Sequence, residues 1–172
     1  MNIIAIDPSI NCTAVVVDDK KHIITHDSYA NNKTGLNKWF AICEPFLQYH
    51  ILPDLVLSKD YSTSEIQKLK RYTEISNIIL NIISKDCHDD ITITIEGYSY
   101  SSKSGPIIDL VTLSTIIRSR CVALSDNVSI MSPKSLKMLT AKWAYAPTQV
   151  KKKIEYRNLE GVSGGRFTKT EM

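Results

Sequence analysis

Two β-rich runs in this chain each stop at a carboxylate. The first, Met1-Asn2-Ile3-Ile4-Ala5-Ile6, ends at Asp7 and is followed at once by Pro8-Ser9-Ile10-Asn11. The second, Ile91-Thr92-Ile93-Thr94-Ile95, ends at Glu96 and runs into Gly97-Tyr98-Ser99-Tyr100. An ionisable group at the end of a buried strand is costly unless something compensates it. Five β-branched residues before Glu96 predict a central strand, and Glu is rarely buried unpaired. If the two strands are neighbours, both acids face one crevice. Clustered carboxylates repel unless a cation lies between them, and hard oxygen ligands suit Mg²⁺ or Mn²⁺. Asp-Pro-Ser alone is also good turn chemistry, so the pairing of the two acids carries the reading.

The spacing of apolar residues fixes the order of elements. Residues 2–7, 12–18 and 21–29 read as three consecutive strands, with Asp18-Asp19-Lys20-Lys21 as a polar turn between the second and third. Leu36 to His50 carries Leu36, Trp39, Phe40, Cys43, Phe46 and Leu47 at helical spacing, although Pro45 opposes an unbroken helix. Leu52 to Leu57 reads as a short strand or an apolar connection. A stronger helix opens at Ser64-Glu65 and runs through Ser84, with Ile66, Leu69, Tyr72, Ile75, Ile79, Ile82 and Ile83 on one face. Pro106 starts a helix carrying Leu110, Leu113, Ile117, Cys121 and Leu124. Val128 to Met131 is a short strand, and Pro133-Lys134-Ser135-Leu136 begins another helical turn. Val150 to Tyr156 reads as a helix with a basic face, and Thr168-Lys169-Thr170-Glu171 as a capping box.

This order predicts an α/β fold. A three-strand antiparallel meander and two further parallel strands make a mixed five-stranded sheet flanked by helices. Right-handed crossovers lay the strand ending at Glu96 beside the strand ending at Asp7. The 172 residues suit a single domain, 1–172. No apolar stretch reaches bilayer length, and the N-terminus enters a strand with no basic region and apolar core of a secretory signal, so no membrane partner is expected. Cys12, Cys43, Cys87 and Cys121 are scattered, without CxxC spacing, which fits reduced thiols in a cytoplasmic setting. His22, His26, His50 and His88 show no ligand spacing.

Charge is uneven along the chain. Residues 1–129 carry 12 Lys/Arg against 15 Asp/Glu, whereas residues 130–172 carry 9 against 3. A basic C-terminal segment on a mildly acidic body suits contact with a phosphate backbone. Lys134, Lys137, Lys151, Lys152, Lys153, Arg157, Arg166 and Lys169 are the candidate contacts, with Lys103 in the loop after Glu96. Any one of them taken alone has solvation as its ordinary role. Tyr98 and Tyr100 follow the second acid and are candidates for stacking on an unpaired base. Trp39 and Trp143 read as packing residues.

Taken in succession, these segments resemble one family. Ile3-Ile4-Ala5-Ile6-Asp7-Pro8-Ser9, with Thr13 after it, resembles the first motif of the RuvC-type Holliday junction resolvases, with Ser9 in place of the usual glycine. Ile93-Thr94-Ile95-Glu96, Ser132-Pro133-Lys134-Ser135-Leu136-Lys137 and Gly164-Gly165-Arg166-Phe167-Thr168-Lys169 resemble later motifs in the same order. Residues 30–63 are longer than the bacterial pattern, as in a phage, viral or otherwise divergent member. The resemblance implies a ribonuclease H-like fold, a homodimer, and cleavage of four-way DNA junctions with Mg²⁺ or Mn²⁺. It makes Asp7 and Glu96 the catalytic and metal-binding carboxylates. It also implies a cytoplasmic setting, including that of an infected host cell. The family places further acids on a final helix. Glu155, Glu160 and Glu171 do not match that motif, and Met172 falls where that helix begins, so weak or absent cleavage is expected.

Two other readings compete. One is a nuclease-derived DNA-binding or structural protein without catalysis. The other is an ATPase of the actin and sugar-kinase type, which needs a glycine-rich phosphate loop after its first Asp. Pro8-Ser9-Ile10-Asn11 contains no glycine, so that reading ranks last.

Overall fold

The computed structural model describes residues 2–31, 42–87, 90–98, 106–133, 135–136, 147–150 and 153–156. The chain divides into two compact units, Met1–Glu96 with Tyr100–Ile130, and Gly97–Ser99 with Met131–Met172.

The first strands form as expected. β1 (Asn2–Asp7), β2 (Cys12–Val17) and β3 (Lys20–His26) make an antiparallel meander. Asp18 turns the chain between β2 and β3 at φ 50°, a left-handed conformation that Asp tolerates better than most residues. Its carboxylate accepts from Ile3 N at 2.8 Å and Asn2 Nδ2 at 2.6 Å, which ties the turn to β1. These hydrogen bonds hold the Asp18 carboxyl below its ordinary range. β3 stops at His26, and one helical turn, α1 (Asp27–Ala30), takes the last residues expected to be strand.

The sheet has six strands where five were expected. The extra one is β4 (Gln48–Leu52), which pairs parallel to β3 at His22↔Gln48, Ile24↔His50 and His26↔Leu52. Its first three residues fall where helical spacing was read. Pro45 lies in a 3₁₀ turn, Glu44–Phe46, that ends at extended Leu47 and leaves Tyr49, His50 and Ile51 to pair with the sheet. Residues 36–41 of that reading lie outside the described residues. The apolar stretch after Leu52 is an exposed connection, with Val56 82% accessible.

α2 (Tyr61–Asp86) begins three residues earlier than expected because Asp60 caps it, accepting from Thr63 N at 2.7 Å. β5 (Ile91–Glu96), α3 (Pro106–Leu124) and β6 (Val128–Met131) follow as expected. The strand order is β4-β3-β2-β1-β5-β6. β1 pairs antiparallel with β2 and parallel with β5. Ile93 N donates to Asn127 O at 2.9 Å and Gly97 N to Met131 O at 2.7 Å, so β6 advances with β5 in parallel sense.

One face of the sheet is the core. Ile4, Ile6, Val15, Val17, Ile93 and Ile95 are at most 2% exposed and pack against Ile79 and Ile83 of α2 and Leu113 and Ile117 of α3. Strand alternation sends their neighbours to the other face, where Ile3 is 55% exposed.

In the second unit, β7 (Pro147–Val150) and β8 (Lys153–Tyr156) pair antiparallel, with Val150 opposite Lys153. This corrects the expected helix over 150–156. Gln149 faces Ile154 and Thr148 faces Glu155, so this pairing takes the place of the local helical pattern. Ser132 caps the expected turn, its Oγ accepting from Ser135 N at 3.1 Å and its carbonyl from Leu136 N at 2.9 Å. The expected capping box at 168–171 lies outside the described residues. Among the described residues no helix is long and apolar enough to cross a membrane.

A histidine pair, His22 buried and His50 half-buried, fastens β4 to the sheet. His22 is 2% exposed; its Nδ1 lies 3.2 Å from His50 Nε2 and its Nε2 lies 3.3 Å from Asp86 Oδ2, at the end of α2. Lys20 holds the other oxygen of Asp86. Burial lowers the pKa of His22, against the opposing pull of Asp86. His50 is lowered by burial and then by the His22 and Lys85 charges. The unfolded chain therefore takes up protons before the folded one does. The stabilisation is complete above the ordinary histidine pKa of about 6.5 and is lost as pH falls through it toward the folded values. Urea midpoints should fall between pH 7.5 and 5.5, and His50→Gln should flatten that dependence. A midpoint constant across this range would contradict the assignment.

Candidate metal centre

The candidate site rests on the register of two strands. Ile4 faces Ile93 and Ile6 faces Ile95 in the parallel β1–β5 pair. Asp7 and Glu96 are the next residues on each strand, at the carboxyl ends. Ile6 and Ile95 point into the core, so alternation sends both acids to the opposite face. Neighbouring strands run about 4.8 Å apart, a spacing that lets two carboxylates share one cation. Asp7 is exposed and Glu96 half-buried.

The surroundings are held by hydroxyls. Buried Thr13 pins the loop after Asp7, its Oγ1 donating to Ser9 O at 2.7 Å and accepting from Ser9 N at 3.2 Å. Thr94 Oγ1 and Ser129 Oγ lie 3.0 Å apart, and Asn127 Nδ2 donates to Thr92 Oγ1 at 2.6 Å, which joins β5 to β6 on the face of the acids.

Two residues near the acids escaped the sequence reading. Arg118 of α3 donates to the Glu96 carbonyl at 3.3 Å and brings a cation to the end of β5. Its position inside an apolar helix face was the available signal. Cys12 lies within the field of Asp7. Burial raises the Cys12 pKa first and the Asp7 charge raises it further, so the thiol stays protonated at neutral pH. All four cysteines are free, and burial pushes Cys121 up to about 11.

Of the remaining candidates, two fall among the described residues. Tyr98 is half-buried and belongs to the second unit. Lys153 is the first residue of β8. Tyr100, Lys103, Lys134, Lys137, Lys151, Lys152, Arg157, Arg166 and Lys169 lie outside the described residues.

The donor set fits a hard divalent cation as two of its ligands. Mg²⁺ prefers six oxygens and keeps several waters, so a carboxylate pair open to solvent is a compatible but loose holder. Among the described residues no group of three His, Cys, Asp or Glu side chains converges on a single point. The chemistry available is therefore binding of an ion between two acids.

Removing the Asp7 charge should ease ionisation of Cys12. Alkylation of Cys12 by iodoacetamide, followed by peptide mass spectrometry across pH 7–10, should proceed a few-fold faster in Asp7→Asn. An unchanged rate would separate the two groups. Compared with known proteins, the chain matches no family model, no curated protein and no solved structure.

Proposed function

We propose that the chain is a ribonuclease H-like nuclease of the RuvC type that acts on branched DNA. The observation that carries this reading is the parallel β1–β5 register, which brings the strand ends at Asp7 and Glu96 together. The strand order supports it too. Apart from the added edge strand β4, the sheet is the meander plus parallel strands expected from the order of elements, with β2 alone reversed.

A divalent cation, when bound, neutralises charge on the scissile phosphate and lowers the pKa of a bound water. The chain's own contribution is position. Asp7 and Glu96 hold the ion, Thr13 and Ser9 fix the loop that carries Asp7, and the basic C-terminal segment supplies phosphate contacts. A homodimer presents two such sites to opposite strands of a four-way junction. Two carboxylates hold an ion loosely, so incision is expected to be slow. The alternative is a nuclease-derived protein that binds branched DNA without cutting it.

The deciding experiment is incision of a labelled four-way junction with Mg²⁺ or Mn²⁺. Slow cleavage is expected, reduced at least a hundredfold in Asp7→Asn and in Glu96→Gln, with junction binding retained. Binding without cleavage in either metal selects the binding-only alternative. Absence of junction binding removes both.

Salt dependence tests the phosphate contacts separately. In sequence Lys151 and Lys152 fall between β7 and β8, and Lys153 opens β8 opposite Val150. Each duplex phosphate neutralised contributes about −0.9 to the slope of log affinity against log salt. Changing all three to Gln should flatten that slope by about two to three. An unchanged slope would mark them as solvated residues only.

A further inference from the structure

The first unit contains a cavity of about 390 Å³ that the metal-centre reading does not use. It opens where β3 and β4 end, beside the N-terminal halves of α2 and α3. Its size falls in the roughly 300–1,000 Å³ range of small-ligand sites. The walls are apolar and come from two layers. Ile24 and Leu52 line it from the sheet, and Tyr72 and Ile75 from α2.

The polar groups converge from separate segments. His26 Nδ1 lies 3.1 Å from Asp54 Oδ1 and 3.1 Å from Ser28 Oγ. Its Nε2 lies 3.4 Å from the Asn11 side-chain amide. Ser28 N donates to Asp54 Oδ1 at 3.0 Å, so the carboxylate that orients the ring is itself held. This is no nucleophile relay. Ser28 and Asp54 approach the same ring nitrogen, whereas a relay needs them on opposite nitrogens. The arrangement fixes a ring and an amide at the rim of an apolar slot.

The cationic groups of the lining already have partners. Lys68 Nζ lies 2.9 Å from Glu65 and 3.3 Å from Asp109. Arg71 donates to Pro53 O at 2.6 Å and lies 3.6 Å from Glu74. A ligand with net charge would have to displace one of these partners. A purely aliphatic group would fill the walls and leave the rim of His26, Asn11 and Ser28 unused. The cavity instead matches an uncharged planar ring with donors and acceptors on its edge. It also shares a loop with the metal centre, because Asn11 follows Asp7 on the β1–β2 connection.

We propose that this cavity binds a nucleobase, either of a free nucleoside or of an unpaired nucleotide in branched DNA. The choice of a nucleobase among such rings rests on the nuclease reading. The walls take the ring faces, and the Asn11 amide and the Ser28 hydroxyl, which His26 holds in place, take its edge. Asp54 is a positioning residue that acts through His26.

The test uses the full chain and two probes. Saturation-transfer NMR with adenosine, guanosine, cytidine and thymidine reports free ligand, with ribose 5-phosphate and cyclohexanol as charged and apolar controls. A four-way junction carrying unpaired 2-aminopurine reports a base within DNA by its fluorescence. Leu55→Trp fills the mouth from a position 39% exposed, and Asn11→Leu removes an edge partner. Signal from a nucleoside or from 2-aminopurine, weakened at least tenfold in variants with the parent's melting temperature, is the expected result. Should one variant fail to fold, the other decides. Nucleoside signal assigns a free ligand, and signal from 2-aminopurine alone assigns a base in DNA. No signal from either probe, equal signal in the variants, or cyclohexanol or ribose 5-phosphate matching the nucleosides would overturn the proposal. Junction cleavage without base binding removes the cavity proposal and leaves the nuclease reading. Nucleoside binding without DNA binding does the reverse.

Discussion

The parallel pairing of β1 with β5 organises the rest of the first unit. Ile4 and Ile6 on one strand and Ile93 and Ile95 on the other are fully or almost fully buried, and they form the centre of the face that α2 and α3 cover. A one-residue slip of either strand would turn its two isoleucines to the open face and bring its acid into the core. Burial of an unpaired carboxylate is far more costly than its exposure. The same register that assembles the core therefore keeps the acids outside it and together. Core packing and site geometry are one constraint here.

The strands of the centre and the two long helices were legible because their signals are local. Alternation and β-branching mark β1, β2 and β5, and the buried residues of α2 recur at helical spacing from Tyr72 to Ile83. Asp7 and Glu96 were legible because each ends such a run. β4 was not. Its first three residues belong to a segment with helical spacing, and what makes them a strand is the neighbouring edge of β3, a partner remote in sequence. The same holds for β7 and β8, whose lysine-rich stretch reads as a basic helix until Val150 is seen opposite Lys153. Local patterns report how a segment meets water. They do not report which other segment offers it an open row of hydrogen-bonding groups.

The polar clusters were illegible for a related reason. His22, His50 and Asp86 come from two strands and a helix end, and no spacing within the chain links them. Asn11, His26 and Asp54 likewise meet only because β3 and β4 end side by side. Read singly, each is an ordinary surface polar residue. For His22 and Asp86 burial adds to their energetic meaning, because a hydrogen bond left unmade there costs more than it would in water.

The sheet also combines two very different chain separations at its central strand. On one side Ile6 pairs with Val15 in the adjacent strand, and on the other with Ile95, beyond the whole of α2. Loop-closure entropy makes the first pairing quick and the second slow. The meander can collapse while the chain is still growing, but at that stage Asp7 has no acidic partner across the strand. The paired carboxylates come into being only when β5 docks. A newly made chain thus passes through a period in which it has a partial core and an open sheet edge, yet lacks the facing pair of acids, so that pair and the completed sheet arrive in the same step.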